Sequence, residues 1–149
     1  MKRSAALRSL SRDHHQALTV AQRLRRADDP DEATSDFLEF WRAHGEEHFR
    51  IEEAVLLPLW ALLGKIDERA AARLSRQHLA IRSVALSLAS QKPSLESLHA
   101  LGSDLTAHVR FEERELFPLI EEDLAAEDLD RLAQAVIEAE SERVRRPSV

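Results

Sequence analysis

The chain contains no cysteine and no tyrosine. Disulfides, thiolate-held iron–sulfur clusters, cysteine nucleophiles, tyrosyl radicals and phenolate ligands are therefore excluded. Only three glycines and five prolines occur in 149 residues, so turns are few and long helices are expected. No β-branched alternation suggests a strand. No run approaches the ~18 apolar residues of a membrane span. The opening MKRSAALRSLSRDHH has basic residues without the apolar core of a signal peptide, so the expected setting is cytoplasmic. Basic charge is also short, with 21 Lys and Arg against 27 Asp and Glu and a net charge of −6. That balance disfavours nucleic acid as the main partner. The length suits one domain, 1–149, able to bury roughly 68–70% of its unfolded surface without a covalent staple.

What the chain does have is helical periodicity. A first helix is expected from about Ser4 to Ala27, on Leu7, Leu10, Ala17, Leu18, Ala21 and Leu24. DDPD (Asp28 to Asp31) stops it and starts the next. The second runs from about Thr34 to Leu63 on Phe37, Trp41, Ile51, Val55 and Leu62, with Gly64 as its C′ residue. Asp67 caps a third, on Leu74, Ile81, Val84 and Leu88, which QKPS (Gln91 to Ser94) ends. The fourth runs from about Leu95 to Leu124 on Leu98, Leu101, Leu105, Phe111, Leu116 and Leu119. A fifth, about Glu127 to Arg143, carries Leu129, Leu132, Val136 and Ile137, and RRPSV is expected to fray. The expected fold is all-α: an antiparallel up-down-up-down four-helix bundle (about 4–124) with a short C-terminal fifth helix (about 127–143) as an appendage. RLRR (Arg23 to Arg26) reads as cations complementing the dipole at a helix end.

Two blocks of this chain repeat each other. HFRIEEAVLLPL begins at His48 and HVRFEERELFPL at His108. Each places a glutamate at i+4, Glu52 and Glu112, on the same helical face as its histidine. Pro58 and Pro118 each follow ten residues after the histidine and should kink their helices. On helical wheels His48 and His108 fall in the apolar stripes of the second and fourth helices, His78 in that of the third, and His14 in that of the first. His15 lies about 100° around from His14 and is the alternative there. An ionised carboxylate alone in a core costs several kcal/mol or more. No lysine or arginine occupies an inward position to offset two of them. A pair of divalent metals would supply that charge; imidazole suits iron, zinc, copper and nickel, while carboxylate can bridge two ions.

At this point the residues resemble a known family. DHH (Asp13 to His15), HFRIEEAVLLP, RQH (Arg76 to His78) and HVRFEERELFP together resemble a hemerythrin-like HHE cation-binding domain over nearly all of residues 4–124. The resemblance implies a non-haem, oxo- or hydroxo-bridged di-iron centre. Its histidines would be His14, His48, His78 and His108, with Glu52 and Glu112 bridging. The chain departs from the oxygen carriers of the family. The position four after His78 is Arg82 where they have histidine, and the position five after His108 is Glu113 where they have aspartate. The ligand set is closer to branches that handle iron, nitric oxide or redox signals. The cysteine-bearing segment of the iron–sulfur repair proteins is missing.

Other polar residues near the site take smaller parts. His44, one turn before His48, fits a fifth nitrogen ligand, a hydrogen-bond partner of a ligand, or a polar lid. Asp104, one turn before His108, either orients a ligand or is solvated. Glu53 and Glu113 are expected to be solvated or salt-bridged neighbours, His99 to be on the surface, and Trp41 and Trp60 to pack in the core and rim. Val55, Leu105 and Phe111 would wall the site so that only small molecules reach it. The expected ligand is O2, NO or peroxide. The alternatives are a metal-stabilised interaction module for an unknown protein partner, or a di-iron oxidase or peroxidase-like enzyme.

Overall fold

The computed structural model describes residues 3–145, and every regular element among them is helical. Helix α1 is Ala5–Arg25. Helix α2 covers residues 30–63, α3 is Glu68–Leu88, α4 covers residues 95–123, and α5 is Ala126–Arg145. Of the RRPSV tail, residues 146–149 lie outside the described residues. No helix among the described residues is long and apolar enough to cross a membrane.

Capping chemistry sets the starts. The Asp29 side chain accepts from the backbone N–H groups of Asp31 and Glu32, and Pro30 occupies the first turn. Helix α2 therefore begins at Pro30, four residues before the expected Thr34, because proline with acidic neighbours favours a first turn. Asp67 caps α3 through Ala70 N–H at 2.9 Å, and Ser94 caps α4 through Ser97 N–H at 3.1 Å. Gly64 follows α2 in an extended conformation (φ −144°) and not in the left-handed one of a C′ glycine. Space explains it better: a Cβ there would collide with the Asp123 carboxylate, which accepts from Trp60 Nε1 and Lys65 N–H, both at 2.8 Å.

Two of the helices are not uniform. Helix α2 widens to π-helical turns at Trp41–Gly45 and Glu52–Leu56, and α4 does so at Glu112–Leu116. In the last two the N–H of Leu57 and of Phe117 reaches back five residues, to the carbonyls of Glu52 and Glu112. The next residues are Pro58 and Pro118. Each proline lacks an N–H and crowds the carbonyl four residues back, so the ladder widens just ahead of it. The disturbance expected at the prolines thus falls on turns that begin at the two glutamates.

Buried apolar residues form two clusters. One includes Leu7, Leu10, Ile51, Trp60, Leu74, Phe111, Leu116, Phe117, Leu132 and Val136. The other includes Ala17, Leu24, Phe37, Trp41, Phe49, Ile81, Leu98, Leu105 and Val109. Along α1, α3 and α4 the interior histidines fall between residues of the two clusters. Helices α1 and α4 approach so closely that a Cβ on Gly102 would lie 2.7 Å from the Ala21 carbonyl oxygen. Helix α5 is no appendage: Leu132 and Val136 are fully buried in the first cluster. Three residues expected in buried stripes are instead exposed: Leu18 (39%), Leu62 (77%) and Ile137 (49%).

Candidate metal centre

A polar layer lies within this apolar interior. His14, His48, His78, His108, Glu52 and Glu112 are all buried, and both glutamates are wholly inaccessible. They converge from α1, α2, α3 and α4. Glu112 Oε1 lies 2.6 Å from His108 Nε2 and 3.9 Å from His78 Nε2. Its Oε2 lies 2.5 Å from His14 Nε2 and 3.7 Å from His48 Nε2. Glu52 Oε1 is 3.3 Å from both His48 Nε2 and His78 Nε2. The ligand atoms form two groups that could each hold a metal ion: Glu52, His78, His108 and Glu112 in one, and His14, His48 and Glu112 in the other. His15 is exposed, so the first helix contributes His14.

Each imidazole turns its other nitrogen toward a neighbouring helix. His14 Nδ1 donates to Glu113 of α4 at 2.6 Å. His108 Nδ1 of α4 donates to the Gln77 carbonyl oxygen of α3 at 2.8 Å. His78 Nδ1 of α3 faces Glu53 of α2 at 3.4 Å, an ion-pair contact outside hydrogen-bond geometry. His48 Nδ1 of α2 donates to Asp13 of α1 at 3.1 Å. The four contacts close a ring around the cluster, and each helix supplies one histidine and one residue that holds the next. Two holders are themselves held. Arg82 binds Glu53 at 2.8 Å, and Arg3 binds Glu113 at 2.9 Å. Arg82, four residues after His78, thus steadies the carboxylate beside that histidine. Phe49 stacks on His78 at 3.8 Å between ring centroids, and Phe117 stacks on His14 at 5.5 Å.

Glu53 and Glu113 are salt-bridged neighbours, as expected. Asp104 is exposed. His99 is not simply on the surface: half-buried, its Nε2 donates to the Ala27 carbonyl at 2.8 Å because the start of α4 passes the end of α1. Trp41 and Trp60 are buried. Leu105 lines a small cavity beside the cluster, whereas Val55 and Phe111 pack into the other apolar cluster. Asp13, Gln77, Phe49 and Phe117 were not singled out by periodicity. Their signal is adjacency, since Asp13, Gln77 and Phe49 each neighbour an inward histidine in sequence.

The donor set fits cations. His48 Nε2, both oxygens of Glu52, His78 Nε2, His108 Nε2 and Glu112 Oε1 are buried without a hydrogen-bond partner. The 2.6 Å approach of His108 to Glu112 is close but not aligned as a hydrogen bond. Such groups normally find partners, and lone pairs aimed at one point are what a metal satisfies. Without metal, protons supply the positive charge. Burial disfavours the imidazolium of His14, yet Glu112 and Glu113 outweigh it and lift its pKa to about 9. His78 follows the same pattern: burial is overcome by Glu112 and Glu52, again to about 9. Burial of Glu112 is outweighed by His108 and His14, which hold its carboxyl well below the usual range.

Fold and cluster define a class: an all-helical protein with a buried histidine–glutamate site suited to metal cations. The chain belongs to the family of the hemerythrin HHE cation binding domain, whose model matches residues 5–120. Among curated proteins and among solved structures, none matches it significantly.

Proposed function

We propose that the protein binds two iron ions through His14, His48, His78, His108, Glu52 and Glu112, and uses them to bind O2, NO or peroxide. The architecture in this reading is an antiparallel four-helix bundle with α5 packed against it. The observation that carries it is the set of buried, partnerless nitrogen and carboxylate atoms directed at a common centre. Glu112, which belongs to both groups of ligand atoms, would be shared between the two ions, and Glu52 would join His78 and His108 in holding one of them. Manganese or zinc would suit the same donors, and the resemblance to hemerythrin-like domains is what favours iron. When bound, the iron pair supplies a redox-active centre with coordination positions open to small ligands. The chain does the rest. Asp13, Gln77, Glu53 and Glu113 fix the ring orientations so that each Nε2 stays directed inward. Phe49 and Phe117 keep water from the imidazole faces.

The test is anaerobic reconstitution with ferrous iron, elemental analysis, and optical spectra before and after admitting air or NO. About two irons per chain and a ligand-dependent near-ultraviolet change are expected. A folded chain that takes up no metal would defeat the reading.

A further inference from the structure

His44 stands apart from the ring. It sits on the wide turn Trp41–Gly45 of α2, one turn before His48, is half-buried, and has no hydrogen-bond partner among the described residues. It lines a cavity of about 20 Å³ together with His14, His48, His108, Trp41 and Leu105. That volume holds about one water, or the free end of a two- or three-atom ligand whose other end rests on the metal. His78 and Glu52 do not line the cavity, so it serves the His14–His48 side of the cluster. Two surface grooves are also lined by His44. One runs past Ser9, Arg12 and Glu140, and the other past Gln16, Thr19 and Asp36. Asp13 and His48 share the wall between cavity and first groove, and Phe40 shares the wall with the second, but His44 is the cavity residue that lines both grooves. Besides the histidines the cavity walls are apolar (Ala17, Phe40, Trp41, Phe49, Leu105 and Val109) except at Asp13, whose carboxylate is already taken up by His48 Nδ1.

We infer that His44 is both the door of this cavity and the hydrogen-bond donor to a small ligand bound on its His14–His48 side. The wide turn makes this placement possible, because an extra residue in the turn shifts the side chain's angle on the helix. An N–H set among apolar walls favours a ligand carrying partial negative charge on its outer atom, and the small volume excludes organic substrates. The inference rests on the metal reading above.

The test uses azide with the ferric-loaded protein, followed by optical titration, stopped-flow mixing and the infrared azide stretch, with iron counted per chain in every variant. In His44→Ala the iron count is unchanged, association and dissociation both quicken, and affinity falls about two- to tenfold through loss of one hydrogen bond. His44→Gln keeps an N–H donor and retains most of the affinity and the stretching frequency, while His44→Phe slows both rates. Iron-loaded variants with the parent's rates, affinity and azide frequency would overturn the assignment and leave the metal reading standing. Loss of iron in His44→Ala and His44→Gln alike would overturn it differently, by making His44 a ligand. A parent chain that binds no iron removes the metal reading and this inference together.

Discussion

Glu112 contacts four histidines within 3.9 Å, whereas Glu52 contacts two at 3.3 Å. Removing the Glu112 carboxylate therefore disturbs both groups of ligand atoms, and removing Glu52 disturbs one. Glu112→Gln should abolish binding of both metals, and Glu52→Gln should leave partial occupancy. Metal content after gel filtration distinguishes these outcomes. The holders should show a weaker effect: Asp13→Ala should lower metal affinity roughly 10–100-fold while leaving stoichiometry intact at saturation. Protonation gives a further expectation for the metal-free chain. His14 and His78, raised from 6.5 to about 9, contribute stability fully present below pH 6.5 and lost as pH rises through 9. Glu113, burial notwithstanding, is lowered from 4.5 to about 2 by His14, Ser11 and Arg3; its contribution is present above pH 4.5 and lost as pH falls through 2. Chelated protein should be most resistant to denaturant between about pH 4.5 and 6.5. Metal loading should move that optimum upward, because ligands bind deprotonated. At this scale the repeat made His48, Glu52, His108 and Glu112 legible, and the apolar stripes added His14 and His78. The holders were not, because holding occurs between helices and a wheel shows only one.

The helices were legible where capping chemistry marked them, as at Asp67 and Ser94. On α2 the buried face was legible as far as Ile51, just ahead of the wide turn at Glu52–Leu56. A π-helical turn inserts a residue and rotates everything after it by about 100° relative to a uniform helix. The stripe drawn through Val55 and Leu62 loses its phase there. The structure buries Leu56 and Trp60 instead and leaves Leu62 in solvent. No local residue preference announces such a turn except the proline just beyond it. The α1–α4 crossing makes its own prediction. Gly102→Ala improves helix propensity by about 1 kcal/mol, but its methyl would meet the Ala21 carbonyl and Leu24 Cβ at 2.7 and 2.9 Å. The helices must separate, so a net loss of about 1–2 kcal/mol is expected by chemical denaturation.

In the whole molecule, the polar layer divides the apolar interior, so stability should depend on what fills that layer. A metal binding only the folded chain, at about one hundred times its dissociation constant, adds ~2.7 kcal/mol. For a chain of this size that should raise Tm by roughly 5–11 °C, and differential scanning calorimetry with and without chelator measures it. Truncation before Ala126 should act through the other compartment: it exposes the neighbours of Leu132 and Val136, and cooperative unfolding should weaken or vanish.

The ring of holders has a direction. The α1–α2 half lends Glu53 to His78, and the α3–α4 half lends Glu113 to His14. Each half is thus a debtor of the other, and neither carries the means to aim its own lone histidine. A chain severed between α2 and α3 would divide this exchange, parting both His14 and His78 from their holders. Fragments of this protein should therefore recognise each other through metal, taking it up tightly only as a reunited pair, so that colour on mixing would report the rejoining of the halves.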